Sequence, residues 1–184
     1  LDPFTTAVII GVAFLVLAVL ALYFCLQDPR ARWLGWWSGF YGLGALGVIL
    51  QIPRAALFGW LSPGFANALV LAGIACGWQG ARAYEGKRTF LWPAISVAIV
   101  WLGISLVPGF LGNLPLRIIA SSMAATLFLG LAARELWQGR AEGLPSKRPA
   151  AVLVASLAAI FAMRIPLAYV LPFPIGGQPV TSWA

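Results

Sequence analysis

TAVIIGVAFLVLAVLALYFCL, residues 6–26, decides the fold class of this chain. The stretch carries no charge, and its only interruptions are Gly11 and Cys25. About 20 consecutive apolar residues are enough for one helix to cross the hydrocarbon core of a bilayer. Asp2 followed by Pro3 reads as an N-cap with proline in the first turn, and Gln27-Asp28-Pro29 ends the run.

Five further runs follow the same grammar. Leu34–Ile52 closes at Pro53-Arg54. Ser62-Pro63 introduces Gly64–Tyr84, and Thr89 introduces Phe90–Val107, which stops at Pro108-Gly109. Pro115 opens Leu116–Trp137, and Pro149 opens Ala150–Leu171, which runs out in Pro172-Phe173-Pro174. The expected fold is an all-α membrane bundle of six spans forming a single domain over residues 1–184. Neighbours in sequence should be antiparallel, because the connections are short.

Composition agrees. Of 184 residues, 61% are hydrophobic and 9% are charged, with a mean hydropathy of +0.92. A soluble domain carries roughly 25% charged residues, so too little polar surface is available here to face water. Histidine is absent, which removes bis-His haem, His-based metal sites and a Ser-His-Asp triad. Cys25 and Cys76 both sit in apolar runs, so neither a disulfide framework nor a Cys-rich metal site is expected. Leu1 is not a methionine, so a cut or processed start is expected, and Leu1-Asp2-Pro3 has no signal-peptide features.

The twelve bases set an orientation. Nine lie in the loops after the first, third and fifth runs: Arg30, Arg32, Arg82, Lys87, Arg88, Arg134, Arg140, Lys147 and Arg148. Only Arg54 and Arg117 fall in the other loops, and Arg164 lies within the sixth run. Cytoplasmic loops are enriched in Lys and Arg, so the N-terminus is expected outside, and so is Ala184. The tail Gly176–Ala184 then looks like the approach to a seventh span. Topology and anionic lipid account for the net charge of +7, so no nucleic-acid partner is expected.

Trp33, Trp36, Trp37, Trp78, Trp92 and Trp137 map near the cytoplasmic ends, where an aromatic belt is the default reading. Gly35 and Gly39 on the second run, and Gly73 and Gly77 on the third, have the four-residue spacing that permits close helix contact. That contact could be within the bundle or between two copies.

The outer half holds the candidate ligand site. Arg54, Arg117 and Arg164 all fall there, Asn67 could join them, and Asp2 is the one acid on that side. Ionisable groups at membrane depth are costly and usually face the bundle interior or water. An outward cavity for a small anionic or lipid-like ligand is one expectation; snorkelling to lipid phosphates is the plainer one. Ser96, Ser105, Ser121, Ser122, Thr126 and Gln79 are read as packing groups, since helical Ser and Thr can bond the preceding turn. No carboxylate lies in mid-span, because Glu85, Glu135 and Glu142 belong to cytoplasmic loops or helix ends. No catalytic or metal-binding residues are therefore expected in this segment.

The chain also resembles the N-terminal membrane region of many bacterial proteins that carry a C-terminal GGDEF domain, the diguanylate cyclases. The residues that carry the likeness are Leu1-Asp2-Pro3-Phe4-Thr5, Gly35-Trp36-Trp37, Leu61-Ser62 with Ala66-Asn67-Ala68-Leu69, and Gly77-Trp78-Gln79-Gly80-Ala81-Arg82 with Glu85-Gly86-Lys87-Arg88. Glu135-Leu136-Trp137, Gly139-Arg140, Arg148-Pro149-Ala150 and Arg164-Ile165-Pro166-Leu167 complete it. The resemblance implies a bacterial inner-membrane sensor, a seventh span beyond Ala184, and a cytoplasmic cyclase that pairs as a homodimer. It implies GTP and Mg2+ for that cyclase, which makes cyclic di-GMP. The 184 residues contain no GGDEF stretch, phosphate loop or acidic metal site, so no enzyme activity or cofactor is expected in this segment. Two other readings stand beside the sensor: a small transporter or channel subunit, and a passive membrane anchor or dimerisation module.

Overall fold

The computed structural model describes residues 3–28, 30–51, 61–139 and 147–170. Every regular element among them is a helix: α1 (Pro3–Gln27), α2 (Arg32–Gln51), α3 (Leu61–Tyr84), α4 (Trp92–Ser105), α5 (Leu114–Gln138) and α6 (Lys147–Val170). Four of these, α1, α2, α5 and α6, are long and apolar enough to cross a membrane. At 1.5 Å per residue α3 is also about 36 Å long, but Asn67, Gln79 and Arg82 make it less apolar. α4 is apolar with only 14 residues, about 21 Å, which is shorter than a core of about 30 Å.

Local chemistry explains where the helices begin and end. Asp28 Oδ1 accepts the Arg30 N–H at 2.9 Å, and the Asp28 carbonyl accepts the Ala31 N–H, which turns the chain into α2. α3 ends at Gly86, whose φ is +69°. The Lys87 N–H there reaches the Arg82 carbonyl and the Gly86 N–H the Ala83 carbonyl, a Schellman closure that needs a left-handed residue. Gly109, at φ +83°, lies in the turns between α4 and α5. Asn113 then caps α5, its Oδ1 accepting the Leu116 N–H at 3.1 Å, with Pro115 in the first turn.

Most helix starts differ from the expected runs by two or three residues. Thr89 does not open α4; the helix starts at Trp92 behind Leu91, with Pro93 in its first turn. The reason is that the Phe90 N–H is already held by Gln79 Oε1 at 3.0 Å, so the chain stays outside a helix for two residues longer. α3 is already helical at Leu61, and α6 at Lys147. Pro63 and Pro149 therefore lie within first turns, where a missing N–H costs little. Asp2, expected as the cap of α1, lies outside the described residues.

Helix α3 is the hub. It packs against α2, α4 and α5, while α1 lies beyond α2 and α6 beyond α5. The α2–α3 pair is antiparallel with a clear register. Gly47 meets Ala66 and Val70, Gly73 meets Phe40 and Leu43, Gly80 meets Trp37, and Trp33 stacks edge-on with Tyr84 at 5.4 Å. The core gathers Leu71 and Ala75 of α3, Trp101 of α4, and Ala125, Phe128 and Leu129 of α5. The outside of the bundle is apolar instead. Val12, Val16, Val19 and Phe24 of α1 are each more than half exposed, an arrangement that lipid accommodates and water does not.

Candidate functional site

The residues expected in the outer half turn to different partners. Arg117 stands in the first turn of α5 and donates from its guanidinium to the Leu111 carbonyl at 3.2 Å, half-buried. Asn67 is half-buried on α3. Arg164 is exposed on α6, its guanidinium 5.3 Å above the Phe161 ring one turn earlier, a cation–π contact worth about 0.5–1 kcal/mol at an exposed site. Arg54 and Asp2 lie outside the described residues.

The four glycines singled out by spacing all sit against neighbouring helices of the same chain. A Cβ on Gly73 would lie 3.0 Å from the Phe40 carbonyl oxygen, the closest approach of the four. Gly77 faces the Phe40 ring at 3.4 Å, Gly35 faces Cys25 Sγ of α1 at 3.3 Å, and Gly39 faces Cys76 at 3.7 Å. The tightest contact within the α2–α3 pair belongs to Gly47, where a Cβ would stand 2.5 Å from Val70 Cγ2 and 2.8 Å from the Ala66 oxygen. Its signal was a three-residue step from Gly44, the other spacing that keeps two residues on one face.

The tryptophans divide. Trp33 packs on Tyr84, and Trp78 packs on Phe128 at 5.8 Å. Trp92 and Trp137 are each 63% exposed. Among the described tryptophans these two are the exposed ones, while Trp33, Trp36, Trp37 and Trp78 are half-buried.

Among the mid-span hydroxyls, Ser121 donates to the Arg117 carbonyl at 2.8 Å, Ser105 to Trp101 at 2.8 Å and Ser96 to Pro93 at 3.1 Å. Ser122 is fully buried with no partner among the described residues, and Thr126 Oγ1 and Gln79 Nε2 are in the same position. An unsatisfied buried hydroxyl opposes folding. Ser122→Ala is therefore expected to leave thermal unfolding in detergent unchanged or to raise its midpoint by a few degrees; a clear fall would mean that the hydroxyl has a partner.

The densest polar constellation among the described residues lies at the other end, where α3, α5 and α6 converge. Lys147 Nζ meets Glu85 Oε1 at 2.6 Å, and the two side chains are 9% and 1% exposed. The same ammonium donates to the Gly139 carbonyl at 2.7 Å. Arg82 reaches Glu135 Oε1 at 3.2 Å, Lys87 pairs with the other Glu135 oxygen, and Arg82 also donates twice to the Arg88 carbonyl. The Arg82 guanidinium covers Trp78 at 5.4 Å. Gly139 has ordinary extended backbone at φ −65° and ψ 145°, so its need for glycine is spatial: a Cβ would overlap the Glu85 carboxylate.

The sequence places Glu85 and Glu135 at helix ends without revealing these partners, which arrive from distant helices. The local signal was the grouping of Arg82, Glu85, Lys87 and Arg88 within seven residues. Chemically, the knot ties helix ends together; it contains no nucleophile beside a base. No group of three or more potential metal ligands occurs among the described residues.

No family model matches the chain, and neither the curated proteins nor the solved structures include a match.

Proposed function

We propose that this chain is the membrane-embedded sensory input domain of a cyclic di-GMP signalling protein in the bacterial inner membrane. In this reading all six helices are embedded and cross the membrane, the N-terminus is outside, and a seventh span leads to a cytoplasmic diguanylate cyclase that works as a homodimer. The cyclase binds GTP and Mg2+; this segment signals to it. A small anionic or lipid-like ligand is bound in the outer half near Arg54, Arg117, Arg164, Asn67 and Asp2.

The observation that carries the reading is the ion-pair knot. Helix α6 packs mainly on α5, and its first residue, Lys147, is fastened to Glu85 at the end of α3. A change in packing along α3 or α5 therefore reaches the start of α6 through a buried charged link. A ligand shifts such an arrangement only by binding its two states unequally. The basic residues at this end of the bundle support the orientation, since Arg30, Arg32, Arg82, Lys87, Arg88, Arg134, Lys147 and Arg148 border the helix ends where α1, α3 and α5 finish and α2, α4 and α6 begin.

The test is to exchange residues 1–184 of the full-length protein for an unrelated six-span bundle and to follow cellular cyclic di-GMP. A sensor predicts altered output; a passive anchor predicts none.

A further inference from the structure

The α5–α6 hairpin carries an open furrow of about 520 Å3 at its basic end. Its walls are mostly small side chains, with Ala133 on α5 and Ala151, Ala155 and Ala159 on α6, so the two helices leave a shallow apolar trough between them. Arg134, Trp137 and Gln138 stand at its head. The volume lies within the roughly 300–1,000 Å3 typical of small-molecule clefts.

Among the described residues, the charge at the head has no acidic partner. Arg134 is exposed and donates to Gln138 Oε1 at 3.2 Å, with no carboxylate beside it among the described residues. Arg148 is exposed one turn before Ala151 and Val152 and so lies on the same stripe of α6 as the furrow wall. It too has no carboxylate partner among the described residues. The acids described at this end, Glu85 and Glu135, are committed to Lys147, Arg82 and Lys87 on the side towards α3. The knot therefore engages the acids described at this end and leaves two guanidiniums at the mouth of an apolar trough.

We propose that this furrow holds one anionic phospholipid. Guanidinium groups match phosphate oxygens in a two-pronged fashion that an ammonium cannot, so Arg134 and Arg148 take the headgroup phosphate. Trp137, 63% exposed, has the apolar body and N–H of a residue suited to the glycerol level of the interface. An acyl chain fills the trough along Ala133, Ala155 and Ala159. A free anion would leave that apolar trough unused, which is why a lipid is the occupant. This site lies at the opposite end of the bundle from Arg117 and Arg164 and does not depend on the sensory reading.

The experiment is native mass spectrometry of the purified chain released from mixed micelles containing equal phosphatidylglycerol and phosphatidylcholine. The wild type is expected to retain one phosphatidylglycerol in preference to phosphatidylcholine. Arg134→Gln/Arg148→Gln is expected to lower that retention about tenfold, as loss of charge-assisted hydrogen bonds should. Ala155→Leu, which fills the trough from an exposed position, is expected to lower it with both arginines intact. Arg88→Gln removes one guanidinium from an exposed residue away from the furrow and should leave retention as in the wild type. Equal retention by the double arginine variant, an equal fall in Arg88→Gln, or full competition by soluble glycerol phosphate would each overturn the proposal.

Discussion

Lys147→Met is expected to cost the folded chain about 3–5 kcal/mol, because it removes the counter-charge of the buried Glu85 carboxylate. Glu85 is only 1% exposed, so water cannot take over the lost partner. The Gly139 carbonyl loses its 2.7 Å donor in the same variant. Glu85→Gln should be comparably damaging, since it leaves the ammonium without its counter-charge. Replacing both groups by apolar ones behaves differently, as exchanging a whole buried pair for packed hydrophobes is often neutral. The Glu85→Leu/Lys147→Met double variant is therefore expected to recover more than half of either single loss. Equilibrium unfolding in detergent micelles measures all three. Losses that simply add would show that the two groups do not act as a pair.

Gly47→Val is expected to be the most disruptive single change at the α2–α3 contact. One neighbour of the added Cβ is the Ala66 carbonyl oxygen, 2.8 Å away, and a helix backbone cannot swing aside as a side chain can. Overpacking of this kind costs about 1–3 kcal/mol, occasionally more. Gly73→Val, with the Phe40 oxygen 3.0 Å from the new Cβ, should follow closely. Gly103→Ala and Gly130→Ala are the comparators, because nothing lies within 4 Å of a Cβ at either position. Unfolding midpoints should fall for the first two and hold or rise for the second two. Four equal midpoints would mean that α2 and α3 do not approach this closely.

The helices were legible because run length and proline placement do not require knowledge of tertiary contacts. Residues 6–26 could be little else, and α1 indeed leaves most of its side chains outside. Ends were less legible where a distant group intervenes: α4 starts late because Gln79 reaches across to the Phe90 N–H. The pairing of Glu85 with Lys147 was invisible for the same reason, since it depends on how the ends of α3, α5 and α6 meet. Arg164 shows the complementary difficulty. Its depth within an apolar run says that its charge is costly, but not which way the helix turns it, and α6 turns it outward over Phe161. Trp33 and Trp78 likewise have the composition of a belt and the position of packing groups.

The reading as an input domain is tested by one measurement: cellular cyclic di-GMP from the full-length protein and from a version whose residues 1–184 are an unrelated six-span bundle. Both must be compared at equal expression and equal membrane insertion. A sensory domain is expected to shift the level about fivefold or more on replacement, within the ordinary range of coupling between sites. An unchanged level, or a full-length protein that makes no cyclic di-GMP at all, would contradict it.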